Sequence, residues 1–319
     1  MYDRGSVMKS VSMLQKIHFC KIYDFNYINA GDLLSTPYLW FNDYFDKYSC
    51  ITHSLSSVKY EQIAKDDVVI IGGGGLLNYN PWFNFNVAIN KILDYCDNVI
   101  IWGAGFNTVV KKGKMIDFSP SVDYSRFRMC GVRDHGLKGM NYVPCVSCMN
   151  PLIDYAHSAE SENRVGSMLH PQMNTKELPL EMDNLSHFNN ITSIINFIST
   201  HDVIVTNSYH CAYWAMLSNK RVVSPSALLN GNKFKFMRNK PTFCDWSDLK
   251  SLKDAIDSSK NYPDYLCESR AINIDFFNGV KSVVEDVIEI PDKTYEKFYN
   301  QGLMAEIYWR LAASRKKLD

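Results

Sequence analysis

Repeatedly along its first 225 residues the chain runs through a few apolar, mostly β-branched residues and then halts at glycine or polar side chains. Ile17–Tyr23 runs out towards Asn29-Ala30-Gly31-Asp32, and Val68–Ile71 ends in Gly72-Gly73-Gly74-Gly75. Val99–Trp102 ends in Gly103-Ala104-Gly105, and Met129–Val132 in Arg133-Asp134. In a second series Val165–Leu169 ends at His170, Val203–Thr206 at Asn207-Ser208, and Arg221–Ser224 at Pro225. Helical patterns lie between them, notably Phe85–Cys96 and Ile191–Thr200. Short apolar runs suit strands buried on both faces, and strands alternating with helices predict βαβ units in parallel sheets. The right-handed crossover of such units gathers the strand carboxyl ends along one edge, outside which ligands bind. The punctuation residues are therefore where chemistry is expected.

At 319 residues the chain exceeds the usual size of a single core. Two units are predicted, residues 1–160 and 161–292, joined near the polar stretch His157–Asn163. A helix within 293–319 is expected to pack back across them. The simplest architecture is α/β, with two Rossmann-like domains facing across a cleft in the GT-B manner. Lys+Arg and Asp+Glu are equal at 34 each, which gives no support for a nucleic-acid partner. No apolar run approaches the ~20 residues of a membrane span, and the N-terminus lacks the apolar core of a signal peptide. Nine cysteines without framework spacing suit reduced thiols, so a cytoplasmic location is expected.

The segment Asp202–Pro225 places Asn207, Ser208 and His210 at a strand-to-helix turn. There orphan N–H groups and the positive end of the helix dipole favour an anion. His210 can bind a phosphate or carboxylate there, or give it a proton; the alternative is a capping or core histidine. Asn207 and Ser208 either donate to the same anion or cap the helix. Arg133 ends a strand on the expected edge, where a guanidinium grips a carboxylate or phosphate bidentately unless it is spent on Asp134. The Gly72–Gly75 run lacks the GxxxxGKS/T spacing of a P-loop. Gly73, Gly74 and Gly75 permit positive φ and close approach by a ligand, or else a tight packing turn. Asn78 follows within reach of the same ligand. Asp32 is the N-cap of the next helix or a free carboxylate at the edge, and Asn29 shares its loop. His170 would face the cleft. Lys233 and Lys235, with Arg238, form a basic cluster that serves the site or faces solvent. Cys145-Val146-Ser147-Cys148 suggests a metal pair, but zinc needs four ligands and no second CxxC or HxxxH occurs. The two cysteines are read as packed thiols, and no metal is expected.

Five of these pieces, in this order, resemble the polysaccharide pyruvyl transferases. They are Asn29-Ala30-Gly31-Asp32, Gly72–Gly75 with Leu76-Leu77, Trp102-Gly103-Ala104-Gly105, Gly131-Val132-Arg133-Asp134 and Ser208-Tyr209-His210, over some two thirds of the chain. The resemblance implies a GT-B-like fold and transfer of the carboxyethylidene group of phosphoenolpyruvate to two sugar hydroxyls, releasing phosphate. It implies no organic cofactor. The acceptor would be a sugar of a surface polysaccharide, free or lipid-linked, and the basic C-terminal segment would allow peripheral contact with an anionic membrane surface. His210 is then the general acid or phosphate ligand, Arg133 the donor's cation and Asp32 a base for an acceptor hydroxyl. Many members carry an arginine two positions before the motif histidine, where this chain has Ser208. Lys233 or Lys235 could supply that missing charge. A nucleotide-sugar-dependent GT-B glycosyltransferase, with Asp245 as its acidic residue, and a non-catalytic sugar-binding or assembly protein are the competing readings.

Overall fold

The computed structural model describes residues 15–22, 29–77, 85–106, 110–111, 114–115, 122–161, 163–169, 180–186, 189–225 and 234–288. The protein is α/β, with two parallel sheets of Rossmann-like type. The first sheet contains β1 (Ile17–Lys21), β2 (Cys50–Ser54), β3 (Val68–Gly72) and β4 (Asn98–Ala104). After a separate antiparallel pair, β5 (Val110–Lys111) and β6 (Lys114–Met115), it is completed by β7 (Met129–Val132) and β8 (Asn141–Tyr142). Its order is β2-β1-β3-β4-β7-β8, parallel throughout. The second sheet takes β9 (Val165–Met168), β10 (Asp183–Asn184), β11 (Val203–Thr206), β12 (Arg221–Pro225) and β13 (Thr242–Cys244). It runs β10-β9-β11-β12-β13, again all parallel.

The described helices are α1 (Ala30–Leu34), α2 (Asn42–Phe45), α3 (Phe85–Tyr95), α4 (Leu152–Ser158), α5 (Ile191–Thr200), α6 (Tyr209–Leu217), α7 (Leu249–Ser258) and α8 (Tyr265–Val287). They cover both faces of each sheet, which is why the inner strands, β3 and β11 above all, are nearly all apolar. Val69 and Ile71 of β3, with Val99 and Ile101 of β4, pack on Ala88, Ile89 and Ile92 of α3. Their neighbours Val68, Ile70, Ile100 and Trp102 point the other way, onto Phe276, Val280 and Val284 of α8. Each such aliphatic side chain contributes ~1.5–3 kcal/mol by leaving water. In the second sheet Ile204 and Val222 join α5 and α6, while Val203, Val205 and Val223 join Leu252 and Ile256 of α7. Every residue of α6 is buried, as expected of a helix apolar on all sides.

Space and sequence divide differently. Ile153 and Ala156 of α4, expected with the first unit, sit in the core of the second sheet. The long α8, expected with the second unit, adds Tyr265 and Leu266 to that core and its C-terminal half to the core of the first sheet. The helix expected within 293–319 lies outside the described residues. Among the described residues no helix is long and apolar enough to cross a membrane.

One buried polar chain runs along the first sheet. His18 Nε2 lies 2.9 Å from Asp67 Oδ2, and His18 Nδ1 lies 2.8 Å from His53 Nε2. Asp67 also accepts from the N–H groups of Lys16 and Ala64, both at 2.7 Å.

Candidate functional site

The carboxyl edge of the first sheet meets the start of α6. After β7 the chain turns at Arg133, whose N–H donates to the Ala104 carbonyl at the end of β4, 2.9 Å away. The Arg133 guanidinium carbon lies 3.6 Å from the centre of the Tyr209 ring, on the first residue of α6. A guanidinium stacked by its face keeps its N–H edges for in-plane hydrogen bonds. Here two of those donors stand unused. Arg133 is 5% exposed, and its Nε and Nη1 are buried with no hydrogen-bond partner among the described residues. Buried guanidinium N–H groups without an acceptor are costly, so an arginine held this way calls for an explanation.

Two carboxyls feel that charge. Burial pushes the Asp32 carboxyl up to about 6, against the opposing pull of Arg133 and of the Asn29 side-chain hydrogen bond. Asp134 is likewise pushed up to about 6 by burial, with Arg133 and the Phe106 N–H opposing. Asp134 Oδ2 accepts from that N–H at 2.7 Å, and no direct ion pair joins it to Arg133 among the described residues. The salt bridge that competed with a ligand role for Arg133 is therefore not formed.

His210, in the first turn of α6, is 7% exposed. Its ring is tilted against Trp214 with centroids 5.6 Å apart, and edge-on to Tyr209 at 5.4 Å. Its Nε2 lies 3.8 Å from Cys145 Sγ. On the other side it meets α1, which follows β1 in the chain and whose Ala30 and Leu34 pack in the core of the second sheet. A Cβ built on Gly31 would fall 1.9 Å from His210 Nδ1, so only glycine leaves room for the ring. The neighbouring Asp32 is in the first turn of α1, and the cap of that helix is Asn29. Asn29 Oδ1 accepts from the Gly31 N–H at 3.0 Å, and its Nδ2 donates to Asp32 Oδ2 at 2.9 Å. Asp32 is thus not the cap, and its other oxygen faces the glycine run: a Cβ on Gly74 would lie 3.4 Å from Oδ1.

A buried cation with two unbonded donor atoms, two carboxyls pushed up to about 6 by burial and an imidazole suit a small, multiply charged anion and proton exchange with it. No protein-family model and no curated protein matches the chain. Among solved structures it is similar to a crystal structure of a functionally uncharacterized protein from Klebsiella pneumoniae. That likeness has 17% identity, covers 72% of this chain and 92% of that one, and has a TM-score of 0.43.

The remaining expected residues divide. Gly73 and Gly74 have φ of +55° and +82°, values that favour glycine. The run is stitched to its neighbours, however: Gly73 N–H donates to the Trp102 carbonyl at 3.1 Å, and the Gly74 carbonyl accepts from Gly105 N–H at 2.9 Å. A Cβ at Gly73 would meet Ser35 at 2.1 Å, the close-packed turn weighed against ligand contact. Gly75 is partly exposed. Asn207 is fully buried at the end of β11. Ser208 is the N-cap of α6, but its side chain makes no capping bond; its N–H donates instead to Thr206 Oγ1 at 3.0 Å. Lys235 is exposed, with its ammonium over Phe236, and Arg238 pairs with Glu268 at 3.2 Å. Lys235 and Arg238 thus lie on a solvated face and add no second cation to the cluster. Asn78, His170 and Lys233 lie outside the described residues. Tyr209, Asp134 and Cys145 were missed as site residues. A tyrosine at a helix start and an aspartate after an arginine carry no signal until the fold stacks one on, and buries the other beside, the same guanidinium.

Proposed function

We propose that this protein is a pyruvyl transferase, moving the carboxyethylidene group of phosphoenolpyruvate onto two hydroxyls of a sugar and releasing phosphate. In this reading the two sheets belong to Rossmann-like domains facing across a cleft in GT-B fashion. The donor sits where β7 and α6 meet, and the acceptor is a sugar of a surface polysaccharide or its lipid-linked precursor. The observation that carries the reading is the buried Arg133 guanidinium with Nε and Nη1 unbonded among the described residues. It supports an anionic donor.

Arg133 binds the carboxylate or phosphate of the donor, and His210 delivers a proton to its methylene carbon, which becomes the methyl group. The oxocarbenium-like carbon left behind is attacked by one sugar hydroxyl, whose proton goes to Asp32. With its carboxyl near 6, Asp32 is ionised often enough at neutral pH to accept it. The second hydroxyl then displaces phosphate at the same carbon, and its proton leaves with the phosphate. Of the two hydroxyl protons, one leaves with phosphate and the other is left on Asp32; its loss to solvent, and the uptake of a solvent proton by His210 in place of the one given to the methyl group, return both residues to their starting states. No redox step is involved.

Incubation with phosphoenolpyruvate and candidate precursor glycans tests this. A glycan heavier by one carboxyethylidene group, formed together with free phosphate, is the expected result. Calorimetric binding of a nucleotide sugar but not of phosphoenolpyruvate would replace this reading with glycosyl transfer. Binding of neither donor would leave a non-catalytic sugar-binding protein.

A further inference from the structure

Behind His210 lies a run of polar atoms that the proposed reaction does not use. Trp214 Nε1 lies 3.0 Å from Ser147 Oγ, Ser147 Oγ lies 3.2 Å from Cys145 Sγ, and Cys145 Sγ lies 3.8 Å from His210 Nε2. Ser147 and Cys145 are both fully buried. We propose that these groups form a one-way hydrogen-bond relay that fixes His210 with its proton on Nδ1, the nitrogen against Gly31 and the Asp32 loop. This rests on reading His210 as a proton donor to the substrate. Cys145 and Ser147 are then positioning residues, acting through His210.

The direction follows from what each group can do. An indole N–H donates and never accepts, so Ser147 Oγ must accept from Trp214. The serine still has a hydrogen of its own to place in a site closed to water. Cys145 Sγ is the acceptor within reach, since an indole cannot take it. A thiol carries one hydrogen, and once its sulfur accepts from Ser147 that hydrogen is free to point at His210 Nε2. Burial pushes the Cys145 thiol up, so it keeps this hydrogen at neutral pH. A nitrogen that accepts cannot carry the proton of a neutral imidazole, which leaves Nδ1 as the N–H. The backbone that carries the thiol is held in place. Its carbonyl accepts from the Tyr213 hydroxyl at 2.9 Å, and the preceding Pro144 carbonyl accepts from Asn273 Nδ2 at 3.1 Å.

Nitrogen NMR of the full chain, isotope-labelled on its eight histidines, tests the relay without any substrate. The His210 signals are identified by their loss in His210→Gln. At mildly alkaline pH the wild type should show a protonated Nδ1 and a bare Nε2. A wild-type signal with the proton on Nε2 overturns the proposal. Cys145→Ala should release the ring towards the Nε2–H form that free histidine prefers, and Cys145→Ser should restore the lock. Should Cys145→Ala fail to fold, Ser147→Ala removes the donor that orients the thiol and should relax the tautomer in the same direction; an unchanged tautomer counts against the relay. In turnover, Cys145→Ala should lower kcat roughly tenfold with KM nearly unchanged, and the serine variant should recover most of it. Correct tautomers without pyruvyl transfer would remove the proposed reaction and leave the relay standing, so the two fail separately.

Discussion

At the scale of single residues, three side chains decide whether the cluster is a site. Arg133→Lys keeps the charge but replaces a flat fork of donors with a single ammonium, and it loses the stacking on Tyr209. Donor affinity should fall roughly tenfold or more, as a lost charge-assisted hydrogen bond predicts. Calorimetry giving an unchanged dissociation constant would mean that Arg133 is structural. Asp32→Asn reports on the raised carboxyl. The folded protein holds the Asp32 proton up to about pH 6, whereas the unfolded chain gives it up near 3.8. Between those values the native state binds more protons, so this carboxyl costs stability as pH rises. The asparagine variant has no such penalty. Its stability relative to wild type should climb by roughly 2–3 kcal/mol between about pH 3.8 and neutral pH. Parallel denaturation curves at every pH would show that Asp32 titrates in the ordinary range. Comparing variant with wild type also cancels His53, whose pKa burial lowers to about 4. That histidine acts with the opposite sign, its contribution being lost as pH falls. Gly31→Ala is the third. Its new Cβ would occupy the space of the His210 ring, so the variant should lose ~1–3 kcal/mol and most of its activity. Wild-type melting temperature and turnover in that variant would show that α1 and α6 do not press together as described.

At the scale of elements, α8 and the Pro144–Met149 segment hold the two cores to each other. Asn273 of α8 is the knot. Its Oδ1 accepts from Trp102 Nε1 at 2.9 Å, and its Nδ2 is bonded to the Pro144 and Ser269 carbonyls at 3.1 Å and 3.0 Å. Asn273→Leu would leave the Trp102 N–H and the Pro144 carbonyl buried and unpaired, which should cost ~2–5 kcal/mol in urea denaturation. A loss within error of zero would mean that water replaces the amide. Strands and helices were the most legible level. The strands at Val203–Thr206 and Met129–Val132 and the helix at Ile191–Thr200 were read to the residue, because apolar period and polar punctuation are local signals. The residues at strand ends were legible as a set for the same reason. Which of them meet was not. From sequence alone Asp32 reads equally as a cap or as a free carboxylate; Asn29, three residues earlier, takes the capping bond.

At the scale of the whole molecule, shared elements join the two sheets. Because α4, α8 and residues 145–149 do not follow the chain division, the described residues should unfold in one denaturation transition. Two resolved transitions by circular dichroism and tryptophan fluorescence would mean that the sheets are energetically independent. Saturating phosphoenolpyruvate should stabilise that single transition by about 2.7 kcal/mol at a hundredfold excess over its dissociation constant.

The amino-acid sequence by itself determined the class: strands alternating with helices, parallel sheets, and chemistry gathered at strand ends. Those follow from hydrophobic period and chain handedness, which act over a few residues. Tertiary structure alone decided that Arg133 stacks on Tyr209 instead of pairing with Asp134, that His210 rests on Gly31, and that α8 serves both cores. These contacts join residues far apart in the chain. Burial and charge around them depend on how the sheets come together, and no local pattern encodes that.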